Sequence, residues 1–142
     1  MNNQKLIISA LRALGIKNWY LKRTPTNETE FKEKFSKKDG SEPDVTWSQI
    51  QTALADGGVV AMAELRKQRT ALLAETDWMS ASDYTMTDAW KTYRQALRDL
   101  PANNKTASWD GTTLGNPFTP VNSPTQTTDT PTDNHATFSP LL

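Results

Sequence analysis

The chain has no cysteine, so neither a disulfide nor a thiolate metal site is open to it. Histidine is almost as scarce. The single one, His135, stands in a Thr/Pro-rich stretch with no rigid shell to hold it, which removes the commonest general base and metal ligand. No apolar run reaches the roughly 18 residues that a membrane-spanning helix needs. Net charge is missing as well, with 16 basic residues against 16 acidic ones. Split at Pro101, the front carries 15 basic and 13 acidic residues and the remainder 1 and 3, so neither part attracts a polyanion by charge alone. The densest basic run, Arg66, Lys67 and Arg69, is short and has Glu64 beside it, which argues against a nucleic-acid partner. Gly57-Gly58 runs into Val59-Val60 without the rest of a phosphate-binding loop, and the acid spacing of a calcium loop is absent.

The front of the chain is written in helical periods. Leu6, Ile7, Ala10, Leu11 and Leu14 share a face of a helix over about 3–14, and Gly15 followed by Ile16 suits a Schellman ending. Lys5 ahead of LIISALRALG imitates a secretory leader, but Arg12 interrupts the run and no small-residue cleavage site follows; an amphipathic first helix is expected instead. Residues 16–22 are short and aromatic and read as an extended segment, a candidate for pairing with another chain. Asn27 or Thr26 then caps a surface helix with acid-to-base pairs Glu28–Lys32, Glu30–Lys34 and Glu33–Lys37 and one apolar ridge, Phe31 and Phe35. Thr46 and Gln49 have capping-box spacing, Val45 and Ile50 the positions of a hydrophobic staple, and Trp47, Ile50 and Leu54 form the stripe of the next helix.

After the reversal at Gly57-Gly58, residues 61–101 read as two amphipathic helices joined by a loop. The first carries Ala61, Met62, Leu65, Leu72 and Leu73 on its apolar side. The second carries Trp90, Tyr93, Leu97 and Leu100, with Asp88, Lys91, Arg94, Gln95, Arg98 and Asp99 facing away, Thr87 as N-cap and Pro101 as a stop. From Ala102 onward ten Thr and five Pro dilute a few scattered apolar residues, so that segment cannot build a core of its own. The expected fold class is mainly α. A small helical region at 1–58, containing the extended segment at 16–22, precedes a helical hairpin at 59–101 and an extended, irregular C-terminal arm at 102–142.

Catalytic constellations are thin. Glu75 and Asp77 in AETDW, with Asp83 nearby, invite a carboxylate site, yet they fall at a helix end where Thr76 and Asp77 more naturally hold the turn. No catalytic, cofactor-binding or metal-ligating residue is assigned, and the chain is not expected to be an enzyme. Of five tryptophans, Trp47 and Trp90 lie on helical stripes and Trp78 closes the hairpin. Trp19 in the extended segment and Trp109 in the arm, with Phe118, Phe138 and Leu142, are the candidate partner-binding residues.

RTALL at 69–73, AETDW at 74–78, Trp90 and YRQALRDLP at 93–101 resemble a segment of bacteriophage tail proteins, the tail assembly chaperone-like or tail-fibre-associated family. ALGIKNWYLKRTPTNETEFKEKF at 13–35 and VTWSQIQ at 45–51 also resemble the front of short phage virion proteins. The resemblance implies a structural virion component, a connector or adaptor between tail and fibres that binds other tail or tail-fibre proteins in multiple copies per particle. The alternative it implies is an assembly chaperone that leaves before the particle is finished. Either way the chain would meet its partners in the host cytoplasm during assembly, with no small-molecule substrate, cofactor or membrane.

Overall fold

The apolar stripe of the first segment does form a helix, α1 (Asn3–Ala13), in the computed structural model, which describes residues 3–124. Gly15, at φ 75°, ends it as a Schellman motif: its N–H reaches Arg12 O at 3.1 Å and the Ile16 N–H reaches Leu11 O at 2.9 Å. The extended segment follows as β1 (Trp19–Leu21), then α2 (Glu28–Lys34) and β2 (Phe35–Lys37). β1 and β2 pair antiparallel, Trp19 opposite Lys37 and Leu21 opposite Phe35. The 16–22 segment therefore finds a partner strand within its own chain.

Asn27 caps α2, its side chain accepting the Glu30 N–H at 2.9 Å. The helix stops three residues earlier than its charge pattern predicts. Of the three expected pairs only Glu28–Lys32 forms, at 2.8 Å. Glu30 instead accepts from the N–H and hydroxyl of Thr26, and Lys37, already in β2, pairs with Asp44 at 3.0 Å. Magnitudes explain the choice. An exposed pair is worth about 0.2–0.5 kcal/mol, whereas burying one phenylalanine is worth about 1.5–3 kcal/mol. Turning extended at Phe35 lets Phe31 and Phe35 stack at 4.9 Å and both enter the core.

The capping box forms as expected at the start of α3 (Trp47–Leu54), the Thr46 N–H donating to Gln49 Oε1 at 2.9 Å and the Gln49 N–H to Thr46 Oγ1 at 3.1 Å. Val45 and Ile50 are buried together with Ile7, Leu11, Phe31 and Phe35 in a first core cluster. Gly57, at φ 72°, and Gly58 reverse the chain into α4 (Val59–Glu75). This helix has no single apolar stripe because three faces are used. Val60 closes the first cluster, Leu65 enters a small one with Leu100 and Ala107, and Leu72 and Leu73 cover one built on Met79, Trp90, Tyr93 and Leu97.

A 3-10 turn at Asp77–Ser80 and a loop lead to α5 (Asp88–Asn103), capped by Thr87. Leu65 meets Leu100 at one end while Leu72 and Leu73 meet Trp90 and Tyr93 at the other, so α4 and α5 run antiparallel. Pro101 does not end α5, contrary to expectation; it lies inside the last turn, where it forfeits only the hydrogen bond to Leu97 O.

The expected arm is also different up to Pro124. Residues 104–124 turn back over α4 and α5 instead of leaving the body. β3 (Ser108–Trp109) and β4 (Leu114–Gly115) form a hairpin whose turn is held by Asp110, which accepts the Thr112 and Thr113 N–H groups at 2.7 Å each. Leu114, Phe118 and Val121 pack on the Leu65–Leu100–Ala107 cluster, and Trp109 packs on the first cluster. Sequence composition could not reveal this, because the segment has no core of its own and borrows that of the helices. The rest of the expected arm, with Phe138 and Leu142, lies outside the described residues.

Candidate interaction surface

The junction of α4 and α5 is organised by a cation. Arg94 is 7% exposed, and its Nη1 donates to Leu73 O at 2.9 Å and to Thr76 Oγ1 while Nη2 donates to Asp77 Oδ1 at 2.8 Å. Thr76 in turn donates its hydroxyl to Leu73 O at 3.2 Å. The guanidinium thus ties together the Leu73 carbonyl in the last turn of α4 and the side chains of Thr76 and Asp77 just beyond it, and the same carbonyl also accepts the Thr76 N–H at 3.1 Å. The placement of Arg94 on the outer face is corrected: it lies on the buried stripe, four residues after Trp90 and three before Leu97. Asp77, one of the carboxylates that suggested a reactive site, is engaged here as the Arg94 partner. Burial, with a smaller push from Glu75, raises the Tyr93 hydroxyl above its ordinary pKa.

Beside this junction α5 opens a shallow cleft of about 430 Å³ lined by Ser80, Met86, Lys91, Thr92, Arg94, Gln95 and Arg98. Three cations and no carboxylate face it. A second cleft, of about 510 Å³, lies between α2 and α3, its floor made by Phe31, Phe35, Val45 and Trp47 and its rim by residues that include Glu28, Lys32 and Glu42. The Phe31 and Trp47 rings are 5.8 Å apart and tilted. Among the described residues no group of three or more His, Cys, Asp or Glu is placed to hold a metal ion, and no helix is long and apolar enough to cross a membrane.

Three of the five candidate partner-binding residues, Trp19, Trp109 and Phe118, are among the described residues, and these three do not share one cluster. Trp19 is half-buried in β1, 6.5 Å from the Phe35 ring, and Trp109 is half-buried against the same first cluster. Phe118 packs on the Leu65–Leu100 cluster, and Phe138 and Leu142 lie outside the described residues. Two exposed apolar side chains were missed: Tyr20, 54% exposed, and Val59, 49% exposed. Strand alternation could have found Tyr20, since Trp19 and Leu21 on either side turn inward and leave it facing water.

Residues 62–109 match the family described as phage tail assembly chaperone protein. The match runs from the first turn of α4 to Trp109. It includes RTALL, AETDW, Trp90 and YRQALRDLP, so the resemblance carried by those strings holds, whereas the 13–51 resemblance falls outside it. The chain has no match among curated proteins and none among solved structures.

Proposed function

From an α4–α5 pair that matches the phage tail assembly chaperones, we propose that this chain is a non-enzymatic assembly factor that binds other tail proteins while a phage tail is being built. The observation that carries the reading is where the match lies. It spans both helices, the Arg94 junction between them and the cationic cleft beside it, a rigid surface on which a partner can be held. Binding is favoured over catalysis because Asp77 is taken up by Arg94 and the sequence has a single histidine.

A second reading, a structural connector that stays in the virion between tail and fibres, is supported by the half-exposed Trp19 and Trp109 and the exposed Tyr20, aromatic side chains of the kind that anchor permanent interfaces. Mass spectrometry of purified particles separates the two. The assembly factor should be absent from finished virions while deletion of its reading frame leaves heads without complete tails; recovery of the chain in stoichiometric amounts would establish the connector instead.

A further inference from the structure

Two exposed cations of α5 stand beside the Arg94 junction with little to neutralise them. Lys91 Nζ lies 3.8 Å from Asp88 Oδ1 with both side chains in water, a pairing too screened to commit the ammonium. Arg98 Nη1 donates to Gln95 Oε1 at 3.3 Å, and among the described residues it has no carboxylate within ion-pairing distance. Between them the cleft offers Met86 as an apolar wall and Thr92 as a polar one, with no acid in its lining. Arg94 below is already bonded to Leu73, Thr76 and Asp77, so the free binding capacity belongs to Lys91 and Arg98.

We propose that this cleft docks an acidic, extended segment of a tail protein, with one carboxylate on Lys91 and a second on Arg98. The inference rests on the binding function above and names the chemistry of the partner. The two cations are seven helical positions apart, which places their Cα atoms about 10 Å apart along the axis at roughly 1.5 Å per residue. A polyproline II segment returns every third residue to the same face after about 9.3 Å, so acids three positions apart match that spacing. Opposite charge then sets both the register and the rate of encounter.

A fluorescein-labelled nine-residue peptide of Glu-Pro-Pro repeats, titrated onto the full chain and followed by anisotropy, tests this. Saturable binding that weakens with salt is expected, about two- to fivefold weaker for Lys91→Gln or Arg98→Gln and roughly tenfold for the pair together. The same repeat with Gln in place of Glu should not bind. Both side chains are exposed, so circular dichroism of the variants should match the parent; a Lys91→Arg, Arg98→Lys pair, which keeps the charge, should keep the affinity. Unchanged peptide binding by the Gln pair overturns the proposal, as does displacement of the peptide by single-stranded DNA of equal charge at the same concentration. Tail proteins captured equally well by the Gln pair also overturn the cleft while leaving the assembly function standing. Charge-dependent peptide binding by a parent chain that captures no tail protein supports the cleft and removes the function.

Discussion

Asn104 accepts the backbone N–H of Thr119 on its Oδ1 at 3.0 Å while its Nδ2 donates to Leu100 O at 2.9 Å. One buried amide therefore closes the end of α5 and fixes the chain that returns over it. Asn104→Ala strands a carbonyl and an N–H, and a loss of about 2–3 kcal/mol is expected. Asn104→Asp should be at least as harmful, since the carboxylate cannot donate to Leu100 O and would be a charge in a buried place. Urea unfolding measures the loss. Hydrogen exchange should show it concentrated in the amides of 107–119.

Arg94 tests the α4–α5 junction in the same way. Arg94→Met keeps the length and the apolar stem but removes the charged donor shared by Leu73 O, Thr76 Oγ1 and Asp77, while Leu73 O keeps the Thr76 N–H at 3.1 Å, and a cost of about 1.5–3 kcal/mol is expected. Asp77→Asn should cost less than about 1 kcal/mol, because that carboxylate is 64% exposed and its pairing is screened by water. Equal losses for the two variants would mean that the ion pair, and not the bonds to the helix end, holds the junction.

Gly57 and Gly40 both have positive φ, 72° and 76°, but only one is enclosed. A Cβ at Gly40 meets open space, and one at Gly57 would collide with the backbone oxygen of Lys105. Gly40→Ala should cost about 1–2 kcal/mol for the left-handed backbone alone. Gly57→Ala adds displacement of the segment whose Ala107 O accepts the Gly57 N–H at 2.8 Å, so its melting temperature should fall clearly further.

Local signals in the sequence were reliable wherever the deciding interaction is itself local. Gly15, Asn27, Thr46 with Gln49, and Thr87 all cap as their spacing says, and the Trp90–Tyr93–Leu97–Leu100 stripe is the buried face of α5. What could not be read depends on partners distant in the chain. β1 finds β2 across the whole of α2, and that pairing shortens the helix that the charge pattern extended. Arg94 holds a core position by spacing although its charge predicts an outward one; the carbonyl of Leu73, 21 residues earlier, is among the acceptors that make its burial possible. The β3–β4 turn did have a local mark, Asp110-Gly111, a pair that favours hairpins. The Thr/Pro-rich composition around it masks that signal.

Acid should loosen the turns before the core. Hydrogen bonds from backbone and side chain of Thr113 and backbone of Thr112 hold Asp110 below its ordinary pKa, those from Thr26 do the same for Glu30, and those from Ser41 for Asp39. Groups with depressed folded values stabilise the fold above their unfolded pKa and lose that contribution as pH falls through the folded one. Melting temperature should therefore be flat near neutrality and begin to decline as pH drops to the ordinary carboxylate values of 3.8 and 4.5, continuing below them. Asp110→Asn should lower the neutral-pH plateau and flatten the decline. A steeper decline in that variant would assign the acid sensitivity elsewhere.

Two truncations distinguish a body that ends at α5 from one that includes the returning segment. Removing residues 125–142 leaves every contact described above in place, so that product is the reference for the shorter one. Removing 104–142 uncovers Leu65 and Leu100, takes away Ala107 and the covering Leu114, Phe118 and Val121, and strips Trp109 from the first cluster. Re-exposing a buried leucine alone is worth about 1.5–3 kcal/mol, and two are affected along with the C-cap at Asn104. Small domains have total stabilities of only about 5–15 kcal/mol, so the shorter product should be largely unfolded or aggregated at 37 °C. A shorter product as stable as the full chain would mean that residues 104–124 merely rest on the helices, and α4 and α5 would then be self-sufficient without the segment that Asn104 and Gly57 tie down.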